Sequence, residues 1–340
     1  MCATLLAGCA APYLVQQGLG QARILFARRP VEDVLADPEV SGAMKQRLRL
    51  IGDVRSWGEE RLGFVHTKSY ESYVDTHGEY PSWLLTACPP DSLDPETWTF
   101  PIVGTVPYLG FFDIEDARAE RDRLREKGLD VQIRPVRAYS TLGWFSDPIF
   151  STFAAEPVHE VAHTILHETT HATVWIPGDV ATNESFATFV GDEGARLFLA
   201  DRFGPDSPEA RAALDARAEE ALVRVFVLRA RDALKAVYAL DIPRHDKLQM
   251  KAAVFSRFRA LFLTDLKPRL TSTRFLGLGR IEWNNAFVAG FAVYHAGEDT
   301  WRRLLAAHGG DLKAMIAFTG EAARQPDPRA VIERRVSSER

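Results

Sequence analysis

Apolar positions along this chain change their spacing near residue 157, from short runs of period two to long stretches of period three to four. Ahead of that point, Ser82–Cys88 and residues 98–106 read as strands, residues 130–139 alternate like a third, and residues 114–127 carry an amphipathic helical stripe. Residues 31–61 read as largely helical, interrupted at Pro38 and Gly42. From Pro157 onward the chain reads as almost wholly helical, with long periodic stretches near 207–240, 246–268 and 281–307. The pattern predicts an α+β fold. An N-terminal segment (1–30) precedes a mixed α/β half (31–150), a helical half follows (151–324), and residues 325–340 read as a flexible tail. No repeat and no flexible interdomain linker stands out.

The first helical run contains His167-Glu168-Thr169-Thr170-His171, an HExxH pattern. Residues four apart stand one turn above each other on a helix, so both imidazoles can grip one metal while Glu168 sits beside its remaining coordination position. The apolar run through Ile165 and Leu166 carries this helix to about Trp175, where Ile176-Pro177-Gly178-Asp179 breaks it. Thr182 or Asn183 then caps a second helix over 184–203. If the two run antiparallel, the histidines lie roughly 6 to 12 Å from the turn at about 1.5 Å per residue, and Glu184 enters at the near end. Ala187, Gly191 and Ala195 lie on roughly the side of Glu184 and allow close approach. The expectation is one Zn2+ held by His167, His171 and Glu184, with Glu168 as general base of a peptidase. An α/β half feeding such a helix, then a helical half, is the zincin arrangement.

A second literal HExxH, His159-Glu160-Val161-Ala162-His163, stands eight residues upstream. Pro157 puts His159 in the frayed first turn, and His163 stands roughly 12 to 18 Å from the level of Glu184. Asp192 or Glu193 could match its height, although Glu193, nine residues from Glu184, points to the opposite face. The site is therefore expected at the downstream motif, with His163 lining the cavity or serving as a hydrogen-bonded neighbour. Residues 139–144 could form an edge strand for substrate backbone, with Gly143 allowing close approach and Trp144 walling a pocket, or a structural turn. Asn284 and Asn285 could hold a substrate terminus or cap the helix that follows. Tyr139, Tyr294, His163 and His295 all remain open as donors to a developing oxyanion.

These motifs come with further stretches: Arg28-Arg29-Pro30, Val34-Leu35-Ala36-Asp37-Pro38, Pro101-Ile102-Val103-Gly104, Val106-Pro107-Tyr108-Leu109-Gly110-Phe111-Phe112, Tyr139-Ser140-Thr141-Leu142-Gly143-Trp144-Phe145-Ser146-Asp147-Pro148 and Asn284-Asn285-Ala286. Over nearly its whole length the chain resembles a bacterial family of zinc lipoproteins designated putative aminopeptidases. The resemblance implies a zinc hydrolase acting on a free amino terminus, for which Asp147, Asp192 and Glu193 could anchor the substrate ammonium. Two departures stand out. The family's helix reads His-Glu-Leu-Ala-His, where this chain has Thr169 and Thr170. The family's cysteine pair flanking 101–104 is replaced by Thr99 and Thr105, which rules out a disulfide at that place.

Composition narrows the partners. With 340 residues, 46% of them apolar, the chain can bury a sizeable core as one large domain or two intimately packed ones. A net charge of -5 and a pI near 6.0 argue against nucleic acid. Leu6-Ala7-Gly8-Cys9 matches a lipobox, so Cys9 is expected to carry the lipid of a cell-envelope protein on the periplasmic side of a membrane. Only eight residues precede Cys9, without Lys or Arg, so the given start reads as truncated. Cys2, Cys9 and Cys88 make no disulfide framework, and Cys88 reads as a buried thiol. Two rivals remain: an envelope endopeptidase or amidase, and a zinc-stabilised scaffold that turns nothing over.

Overall fold

The computed structural model of the chain describes residues 7–100, 104–136, 146–272, 274–295 and 298–337, with side chains except at 7–12 and 292–295. Helix α1 (Ala7–Ala27) leads through β1 (Arg29–Pro30) to α2 (Val31–Ala36) and α3 (Gly42–Trp57). Then come β2 (Ser72–Val74), β3 (Ser82–Cys88), β4 (Trp98–Phe100), β5 (Gly104–Val106), β6 (Leu109–Phe111), α4 (Ile114–Glu126) and β7 (Asp130–Val136). Strand β8 (Ile149–Phe150) and α5 (Ser151–Ala154) precede α6 (Val158–Thr173) and α7 (Val180–Phe203). The chain continues through α8 (Pro208–Tyr238), α9 (Arg244–Leu261), α10 (Asn285–His295), α11 (Glu298–Ala306), α12 (Leu312–Ala322) and α13 (Pro328–Ser337). With 64% of the described residues helical and only small sheets among them, the fold is α+β.

Strand β3 lies between β6 and β7 and pairs antiparallel with both, matching Leu85 with Leu109 on one side and Ile133 on the other. Helix α4 covers this sheet, burying Ala117 and Leu124 against Leu85 and Val131. Cys88 is a buried free thiol at the end of β3, its pKa pushed up to about 12 by burial. A second sheet orders β1, β2 and β8, the last pair parallel. The single strand expected over 98–106 is instead the hairpin of β4 and β5. Gly104, at φ 72°, takes a left-handed conformation that alternation of side chains cannot register. Thr99 faces Thr105 in that hairpin, and their hydroxyls hydrogen-bond at 2.8 Å.

The largest core joins Leu48, Ile51 and Val54 of α3 to Val161, Ile165 and Leu166 of α6 and to Phe186, Val190 and Phe198 of α7. Trp301, Met315 and Ile332 close it from α11, α12 and α13. Where a flexible tail is expected, Pro328–Ser337 form a packed helix: Ile332 and Val336 of α13 are buried among charged neighbours, too few to register as a period. A second core holds Val223, Val227 and Leu234 of α8 against Phe258, Phe262 and Val288.

Candidate metal centre

Pro157 stands at the N-cap of α6, where its missing N–H costs nothing. The helix then buries Val161, Ala162, Ile165 and Leu166 in the core. Three threonines in its last turns weaken helix propensity, yet each hydroxyl donates backwards: Thr169 to the Ile165 carbonyl at 2.7 Å, Thr170 to Leu166 at 2.7 Å and Thr173 to Thr169 at 2.8 Å. No buried hydroxyl among them lacks a partner, which is how Thr169 and Thr170 stand inside the HExxH pattern. The helix ends at Val174, whose backbone is extended.

Helix α7 begins four residues earlier than its sequence pattern suggests. Asp179 caps it, its carboxylate accepting from the Thr182 N–H at 3.1 Å, so Glu184 sits in the second turn rather than at the first position. Asn183, the expected cap, is used otherwise: its side chain accepts from Ile176 N and donates to Ile176 O, both at 2.8 Å. That exchange fixes the turn between the helices. Gly191 lets α7 lie close to α6, since a Cβ there would fall 2.9 Å from the His163 carbonyl oxygen.

His167, His171 and Glu184 converge. Their Nε2 atoms are 3.1 Å apart, and Glu184 Oε2 lies 3.5 Å from His167 Nε2 and 3.7 Å from His171 Nε2. Candidate ligand atoms of all three side chains lie within 4.8 Å of one another, and among the described residues this is the group able to hold a metal ion. Both imidazoles are buried, at 8% and 6% exposure, and their Nδ1 atoms have no hydrogen-bond partner. Burial alone would raise the Glu184 pKa, but hydrogen bonds from His167 and His171 hold it well below the usual carboxylate range. Burial drives His167 down to about 4, while the pull of Glu184 and Glu168 overcomes burial at His171 and raises it. Two imidazole nitrogens and one carboxylate oxygen, gathered in a secluded site, fit a divalent cation that accepts borderline ligands.

Glu168 faces the same space. Burial raises its carboxyl to about 7, with Glu184 and Asp147 adding to the rise and His171 opposing it. Sequence reasoning missed Tyr70, which stands within electrostatic reach of Glu168 and Asp147; burial first, then these carboxylates, raise its pKa well above the tyrosine value. Tyr70 is only 8% exposed and adopts φ 67°, a left-handed conformation unusual for an aromatic residue. Its N–H donates to the Asp147 carbonyl at 2.7 Å. Neither feature leaves a trace in the local sequence.

The upstream motif is built differently. His163 Nδ1 meets Asp192 at 2.8 Å, and Arg274 meets Glu160 at 2.7 Å. Asp192 overcomes burial and raises the His163 pKa. Glu193 is taken by Arg217 at 2.7 Å and Arg196 at 2.9 Å. His159, Glu160, His163, Asp192, Arg217 and Arg274 line a cleft up α6 from the triad.

Asn284 and Asn285 are engaged within the fold. Asn284 accepts from Phe287 N as a cap and donates to Val131 O, and Asn285 donates to Pro89 O and Ser92 O while accepting from the Tyr238 hydroxyl. Their amides are spent fastening α10 to the sheet layer. Tyr139 and the whole 139–144 segment lie outside the described residues. Tyr294 and His295 lie in α10 and Cys9 in α1, with side chains outside the description.

One family model, described as "Putative aminopeptidase", matches residues 12–331. No curated protein and no solved structure matches the chain.

Proposed function

The chain belongs to the putative aminopeptidase family, and we propose that it is a zinc-dependent aminopeptidase of zincin-like arrangement. The observation that carries this reading is the buried convergence of His167, His171 and Glu184 beside Glu168. The three side chains would hold Zn2+, which supplies Lewis acidity that acidifies water and polarises the scissile carbonyl. Glu168 takes the proton from the attacking water and returns it to the departing amine. The Tyr70 hydroxyl donates to the carbonyl oxygen as its charge develops. Asp147, whose charge acts on both Glu168 and Tyr70, is the carboxylate we assign to the substrate ammonium. The substrate is a peptide with a free amino terminus. We place the protein at the cell envelope, anchored through a lipid on Cys9 on the periplasmic side.

The test is metal content per chain in wild type, His167→Ala, Glu184→Ala and His159→Ala, together with cleavage of free-amino and amino-blocked peptides. One zinc lost with His167 or Glu184 but kept with His159, and cleavage of free-amino peptides only, is expected. Cleavage of blocked peptides would favour an endopeptidase or amidase. Bound zinc without any cleavage would leave a scaffold.

A further inference from the structure

Helix α1 is apolar on two opposite faces. Its inner face docks on the protein: Tyr13 stacks on Phe100 with ring centroids 5.6 Å apart, meets Phe111 edge-on at 5.5 Å and donates to the Gly110 carbonyl at 2.8 Å. Gly20 lies against the Phe112 ring, and Ile24 enters the main core. The outer face carries Val15, Leu19 and Phe26, at 62%, 59% and 90% exposure. At about 100° per residue these three fall within roughly 40° of one another, on the side away from Tyr13, Gly20 and Ile24. Leu14, also exposed, widens the stripe. An apolar helix face is normally covered.

Charge indicates what covers this one. Residues 1–30 hold Arg23, Arg28 and Arg29 and no Asp or Glu, whereas the other 38 basic residues of the chain face 46 acidic ones. Arg29 pairs with Asp37 at 2.7 Å, while exposed Arg23 borders the apolar stripe, one turn from Leu19. Among the described residues no helix, α1 included, is long and apolar enough to cross a membrane.

We propose that the outer face of α1 lies flat on an anionic phospholipid surface, with Val15, Leu19 and Phe26 entering the acyl boundary and Arg23 meeting headgroup phosphates. This contact does not depend on acylation of Cys9. The test uses the full chain carrying Cys9→Ser, sedimented with phosphatidylglycerol-containing vesicles and with pure phosphatidylcholine vesicles at low and high salt. Binding to the anionic vesicles, weakened by salt and reduced roughly tenfold or more by Val15→Ser, Leu19→Ser and Phe26→Ser together, is expected. The substituted side chains touch no core, so an unchanged melting temperature certifies the fold. A Phe26→Trp variant gives a second readout, a blue shift of emission on adding anionic vesicles. No binding by the Cys9→Ser chain, equal binding by the triple variant, or a dimer that the triple variant abolishes in the absence of vesicle binding would each overturn the proposal.

Discussion

Asn183 and Ile176 exchange two 2.8 Å hydrogen bonds, so that one buried side-chain amide satisfies both backbone groups of a residue in the turn ahead of it. The pair sets the position of Glu184, the next residue along, against the histidines of α6. Removing it in Asn183→Ala leaves the Ile176 N–H without a partner and its C=O with only the Asp179 N–H at 3.3 Å, and is expected to cost about 1 to 3 kcal/mol. Zinc affinity should fall roughly 10- to 100-fold, the usual effect of losing a group that orients a ligand. Denaturant unfolding and metal titration measure the two effects separately, and unchanged zinc affinity would show that Glu184 is placed without the clamp.

Glu168→Gln keeps the shape of the side chain but cannot take a proton. Its kcat is expected to fall by roughly 10^2 to 10^4 with zinc content unchanged. Steady-state kinetics beside metal analysis decide it, and activity within a few-fold of wild type would remove Glu168 from the base role.

The same substitution has an opposite effect on the metal-free protein. A carboxyl raised from 4.5 to about 7 in the fold favours the folded state below pH 4.5 and loses that advantage as pH rises through 7, amounting to about 3 kcal/mol. The raised His171 acts in the same sense, stabilising below its ordinary value and failing as pH climbs through the raised one. Glu184, held low, contributes above 4.5 and loses its contribution in more acid solution. Metal-free protein should therefore lose melting temperature between pH 5 and pH 8, and Glu168→Gln should recover part of the loss at pH 8 and none at pH 4. Identical melting curves at pH 8 would count against the buried carboxylate.

The Glu184 carboxylate raises the His171 pKa, so zinc must compete with protons for that imidazole as pH falls. Titrations in buffers of different ionisation enthalpy are expected to show about one proton released per zinc near pH 6 and weaker binding at lower pH. Binding without proton release would mean that the triad starts uncharged.

Thr99 and Thr105 stand opposite each other where the resemblance implies a cysteine pair. Thr99→Cys with Thr105→Cys should oxidise to a disulfide and stabilise the protein by about 2 kcal/mol, the modest value of a short loop. Thermal melts with and without reductant give the difference, and no difference would place the two side chains out of bonding range.

The helix pair at the centre of the molecule was legible because its signals are local: a breaker at Ile176-Pro177-Gly178-Asp179, histidines four apart and small residues facing them. The helix start was misplaced because Asp179, Thr182 and Asn183 are all capable caps, and only the tertiary demand of Ile176 takes Asn183 out of the competition. Tyr70 stayed hidden because its burial and its left-handed backbone arise from packing against Phe153 and bonding to Asp147, neither near it in sequence. For Asn284 and Asn285 the sequence left substrate binding and helix capping both open for the converse reason: their partners on β7, the 89–92 loop and α8 cannot be read from a pair of adjacent amides.

The short turn between α6 and α7 also bears on how the protein assembles. Base and ligands occupy one stretch from His167 to Glu184, and the widest gap to be closed, His171 to Glu184, is 13 residues. Closure of so small a loop takes on the order of 10 to 100 ns, far ahead of the pairing of β2 with β8 or the docking of α13. On the proposed reading, a metal ion present during refolding would meet all three ligands on a local hairpin and tie it shut while the sheets are still unmade, and metal availability would then enter the folding rate.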